Sequence, residues 1–152
     1  MKEAVVKQRG FTLIELMVTV AVIAILSTIA YASYSAYVKR GYRSEAKSVL
    51  LQDATILERN FTTANRYDNT ALAGNGTATS TQIIQQAPVS GTAIYNVSVA
   101  FNTNPAMDFT LTAQPVAGGP MANDECGSFT LTNTGQQNVV GATATATDCW
   151  GK

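Results

Sequence analysis

The sequence has no histidine and only two cysteines, Cys126 and Cys149. That removes the commonest general base and zinc ligand, and no C-x-x-C spacing suggests a metal site. No serine-nucleophile or carboxylate-pair motif stands in their place, so neither an enzyme nor a bound cofactor is expected. Between Leu16 and Val38 there is no Asp, Glu, Lys or Arg in 23 residues. No glycine separates Gly10 from Gly41, and the first proline is Pro88. Nothing therefore interrupts a helix predicted from Thr12 to about Asn60. Basic residues are scarce in the C-terminal part. Beyond Phe61 only Arg66 and Lys152 stand against Asp68, Asp108, Asp124, Glu125 and Asp148, a net charge of −3. Nucleic-acid binding needs a basic stripe that neutralises phosphates, so no nucleic-acid partner is expected for this region.

What is present divides the chain unevenly. Its 152 residues allow one domain and one long appendage. As a helix, the uncharged run would rise roughly 35 Å, enough to cross a hydrocarbon core of ~30 Å. Lys2, Lys7 and Arg9 precede it and Lys39, Arg40, Arg43 and Lys47 follow it, so a positive-inside count does not choose an orientation. The cysteines do. An even pair within a polar region reads as a structural disulfide, which places the C-terminal part in an oxidising compartment and runs the span from inside to outside.

Three readings of the N-terminus compete. A secretory signal would be cut after Ala30-Tyr31-Ala32 and release a soluble protein starting at Ser33. Against it, the apolar run exceeds a usual signal core of about 7–15 residues. Glu15, near the start of that run, is costly in hydrocarbon and has no use in a discarded segment. A plain signal anchor also leaves Glu15 unexplained. The third reading rests on Arg9-Gly10-Phe11-Thr12-Leu13-Ile14-Glu15-Leu16-Met17, which resembles the processing site of type IV prepilins and related pseudopilins.

That resemblance implies cleavage after Gly10 by a membrane prepilin peptidase, N-methylation of Phe11, and a role for Glu15 in assembly. It implies a structural subunit of a type IV pilus, most similar to PilE-like minor pilins on the looser Cys126-Gly127…Cys149-Trp150 ending. The partners would be other pilin subunits in a helical filament, the peptidase, the inner-membrane assembly machinery, and membrane lipid before assembly. The precursor would sit in the bacterial inner membrane with its C-terminus outside, and the product in an extracellular pilus. A type II secretion pseudopilin and a DNA-receptor pilin are the alternatives. Many relatives carry a helix-breaking Gly and Pro where Ala24 and Ala32 stand here, which puts local helix melting during assembly in doubt.

The expected architecture is α+β, a long N-terminal helix on an antiparallel sheet of three to four strands. Residues 1–10 form the leader, 11–38 the transmembrane or filament-core helix, and 39–61 an amphipathic helix. The 39–61 face carries Tyr42, Ala46, Val49, Leu50, Ala54, Leu57 and Phe61 at three- and four-residue steps. Residues 62–93 form a polar connection with Asn69, Gly74, Asn75 and Gly76 as turn formers, pinned by Tyr67, Leu72, Ile83, Ile84 and Val89. Residues 94–152 form the sheet and a disulfide-closed end. Alternation predicts strands around Tyr95–Phe101, Phe109–Ala113 and Phe129–Thr132, with a fourth starting at Val139. Asn104-Pro105 and Gly118-Gly119-Pro120 punctuate them. Tyr31, Tyr34 and Tyr37 fit either an interfacial aromatic belt or helix packing in a filament. Asp124, Glu125 and Asp148 are expected as solvated loop acids, with a calcium site as the lesser alternative.

Overall fold

A computed structural model describes residues 10–68, 83–102 and 106–151. The chain divides into two compact units between Val38 and Lys39. Helix α1, Leu13–Ala64, runs through both for 52 residues, as the lack of breakers predicts. It ends four residues beyond the expected Asn60, where Asn65 takes a left-handed φ of 55°. The Asn65 N–H then donates to Phe61 O at 2.7 Å, closing the last turn.

In the first unit, α1 contains a window of mean hydropathy 2.4 with none of its residues buried. Thr19, Ser27 and Thr28 return their hydroxyls to Leu16 O, Ile23 O and Ile25 O at 2.7–2.8 Å. These three hydroxyls are thus satisfied by carbonyls of the helix itself.

In the second unit, Ala46, Val49, Leu50 and Leu57 of α1 are buried in the core. The sheet is an antiparallel meander in the order β1-β2-β3-β4-β5. Its strands are Gln86–Ala87, Tyr95–Ala100, Thr110–Pro115, Ser128–Thr132 and Gln137–Val140. The register Val97↔Ala113↔Phe129 and Val99↔Leu111↔Leu131 gathers the apolar positions on one face, while Asn96, Ser98 and Gln114 are exposed. Tyr95, Phe109, Phe129, Leu111 and Met121 are fully buried, and the two phenylalanines, the leucine and the methionine each contribute about 1.5–3 kcal/mol of transfer free energy.

There are five strands where alternation predicts three or four. The additional β1 lies inside the predicted connection and is too short to alternate. It exists because β2 has an edge to pair: Ile94 N–H donates to Ala87 O and Val97 N–H to Gln85 O. Helix α2, Ala146–Gly151, is also unanticipated. Tyr67 and Ile83 are buried as expected of pins, but Val89 is 54% exposed and pins nothing. Leader residues 1–9, the turn formers Asn69, Gly74, Asn75 and Gly76, Leu72, Asn104-Pro105 and Lys152 lie outside the described residues.

Candidate functional site

At the start of α1, Gly10 and Phe11 are exposed and Thr12 is the N-cap. Thr12 Oγ1 accepts the Glu15 N–H at 3.3 Å and faces Glu15 Oε2 at 3.4 Å. Thr12 therefore caps the helix, and its hydroxyl donates to the Glu15 carboxylate, which lies at the positive end of the helix dipole. Beyond it lie exposed Leu16, Met17, Val18, Val20, Val22, Ile23, Ile25, Leu26 and Ile29. Glu15 is thus the one charged side chain on α1 before Lys39. Tyr31, Tyr34 and Tyr37 are 76%, 68% and 69% exposed.

The C-terminal end is built around the Cys126–Cys149 disulfide, with both cysteines buried. Two side chains one turn apart on α1 clamp it. Arg43 makes a bidentate pair with Asp124, Nε to Oδ2 at 2.9 Å and Nη2 to Oδ1 at 2.7 Å, and reaches Glu125 at 3.1 Å. Lys47 Nζ donates to Cys149 O and Trp150 O, the last carbonyls of α2. Hydrogen bonding to Asp124 raises the Arg43 pKa, while burial, and then Arg43 itself, lower that of Lys47. Trp150 lies edge-on to Phe129 and donates its indole N–H to Asn138 O at 2.9 Å. Gly127 has φ +54°, and a Cβ there would stand 2.4 Å from Val140 O, so only glycine fits behind Cys126.

These contacts correct one expectation. Asp124 is not a solvated loop acid: its side chain is only 1% exposed and Arg43 neutralises it. Glu125 remains exposed. Asp148 caps α2, accepting from Thr145 Oγ1 at 2.7 Å while its own N–H donates back to that hydroxyl. The three acids are thus committed to different tasks. Among the described residues, no group of three or more His, Cys, Asp or Glu could hold a metal ion.

The ion pairs also bear on the surface charge. Arg66 is paired with Asp68, whose carboxyl it holds below the usual range. Tyr67 donates to Glu58 Oε1 at 3.0 Å, and burial, then Glu58, push its phenol up to about 12. Two buried polar atoms lack partners among the described residues, Tyr95 Oη and Asp53 Oδ2. Asp53 escapes a reading of apolar positions because it is charged. Its signal is spacing: it falls between Leu50 and Leu57 on the buried stripe.

Comparison with known proteins places these features in two families. The family described as "Type IV minor pilin ComP, DNA uptake sequence receptor" matches residues 32–130, about two thirds of the chain. The prokaryotic N-terminal methylation motif matches residues 6–31. The type IV major pilin PilA of Myxococcus xanthus is 42% identical over 65 residues, 43% of this chain and 30% of that protein. The fimbrial protein EcpC of Eikenella corrodens is 56% identical over 39 residues, 26% of each. The chain thus matches less than a third of the length of these relatives. The crystal structure of the Neisseria meningitidis non-core minor pilin PilV is similar with a TM-score of 0.51 at 19% identity, covering 72% of this chain and 94% of that one.

Proposed function

This chain belongs to the type IV minor pilin ComP family; from that premise we propose that it is a subunit of a type IV pilus, processed, anchored and assembled as follows. Prepilin peptidase cuts after Gly10 and methylates the new N-terminal Phe11. The unhindered glycine backbone suits a peptidase working at the membrane face. Cleavage leaves the apolar half of α1 attached, so the product stays in the inner membrane with its disulfide-closed unit outside. The assembly machinery then moves that helix from lipid into the filament. There the exposed apolar side chains bury against neighbouring subunits and Glu15 meets the Phe11 ammonium of another copy.

The observation that supports this reading best is the combination of an exposed, uncharged helix from Leu16 to Val38 with one carboxylate, Glu15, just before it. Intact-mass analysis of protein from sheared filaments tests it. The expected chain begins at N-methylated Phe11; one beginning at Ser33 would establish a cleaved secretory signal instead.

A second reading comes from the family description, which names a receptor for DNA uptake sequences. We favour a filament-building minor pilin without a DNA groove. Arg43 is sequestered with Asp124 and Arg66 is tied to Asp68. The exposed Arg40 and Arg59 both lie on α1. Full-length protein in neutral detergent should give no salt-sensitive shift of duplex DNA at micromolar protein and physiological salt. A shift there that is lost on Arg66→Ala would establish the receptor reading.

A further inference from the structure

Asp53 sits in the core of the second unit at 0% exposure, where an unpaired carboxylate is costly. Its Oδ1 accepts the Ile84 N–H at 2.8 Å, and its Oδ2 has no partner among the described residues. Val49, Leu50, Ile56 and Leu57 lie one turn away on α1. Across from it, the segment entering β1 presents Ile84, flanked by the buried Ile83 and by Gln85. None of these is titratable. No lysine, arginine or other acid among the described residues contributes to its titration, which burial and the Ile84 N–H alone perturb. This carboxyl joins α1 to the segment that leads out of the helix-to-sheet connection and into the edge strand of the sheet.

We propose that Asp53 is a proton-linked latch: neutral, it fixes the β1 segment to α1; ionised, it loosens that segment while the rest of the sheet stays paired. The neutral acid fits an apolar site and still accepts the Ile84 N–H through its carbonyl oxygen. The ionised form leaves a buried charge with one hydrogen bond, so local opening that admits water becomes less costly.

Burial is the main cause that raises the Asp53 pKa from 3.8 to about 6, and the Ile84 N–H opposes it. The folded chain therefore binds more protons than the opened one between these values. Stability from this group is full below about 3.8 and falls as pH rises toward 6. Between pH 4.5 and 7.5, the opening equilibrium should rise roughly 25-fold.

Hydrogen exchange of the Ile84 amide in the full chain in detergent micelles, corrected for intrinsic rate, reads that equilibrium directly. The wild type should show the 25-fold rise. Asp53→Asn, which keeps the acceptor and cannot ionise, should lack it and match the acid form at neutral pH. An equal rise in both proteins overturns the latch, as does a wild type that opens less at neutral pH than at acid pH. Carboxyl ¹³C shifts of wild-type Asp53 provide a check that needs no variant. A midpoint near 6 supports the proposal, and one below 4.5 overturns it.

Discussion

Replacing Arg43 by methionine should destabilise the second unit by about 3–5 kcal/mol, the range for removing one partner of a buried ion pair. The loss exceeds what the pair itself contributes, because Asp124 is left charged with a side chain 1% exposed. Its remaining hydrogen bond, from Cys126 N–H at 3.3 Å, is long and poorly able to compensate. Thermal unfolding of the full chain in detergent should show Tm falling by more than about 10 °C. The double variant Arg43→Met, Asp124→Leu should recover most of the loss, leaving roughly 1 kcal/mol for the orphaned Cys126 N–H. A loss in the single variant below about 1 kcal/mol would place this pair with exposed salt bridges, against the geometry.

That pairing also marks where the sequence stops being legible. Arg43 and Asp124 are 81 residues apart, and each alone is an ordinary charge, one in a basic flank and one in an acidic loop. Helix α1 was readable because 30 residues without glycine separate Gly10 from Gly41 and proline is absent until Pro88. Strands β2, β3 and β4 were readable because their alternating side chains span a buried and a solvated face. The cysteine pairing followed from number and context. By contrast, β1 has two residues and α2 six, and neither length can express a period. Both depend on tertiary partners: the open edge of β2 for one, and Lys47, the disulfide and the Thr145–Asp148 cap for the other. Asp53 is a different case. The stripe Ala46, Val49, Leu50, Leu57 predicts a buried residue at position 53, and a charged residue on such a stripe is itself the sign of a special environment.

Glu15→Ala should leave cleavage and membrane insertion intact but lower the amount of this subunit in sheared pili by about tenfold or more. The estimate follows from the cost of an uncompensated charge in low dielectric, several kcal/mol, against about 1.4 kcal/mol for each tenfold in an equilibrium. In the anchored subunit the carboxylate is not idle. It accepts from the Thr12 hydroxyl at 3.4 Å at the start of α1, so alanine removes that support of the cap as well as a charge, while the Thr12 hydroxyl still caps the backbone N–H of residue 15. The two roles separate with Glu15→Gln, which keeps an acceptor for that hydroxyl at the same position and removes only the charge. If pairing with the Phe11 ammonium of a neighbouring subunit drives entry into the filament, glutamine should be nearly as defective as alanine. Should support of the cap be the whole contribution, glutamine should be recovered at wild-type stoichiometry while alanine is not. Mass spectrometry of the membrane and sheared fractions, normalised to the bulk pilin, distinguishes these outcomes. It also confirms that both variants begin at Phe11, so that a shortfall in the filament is a defect of assembly and not of processing.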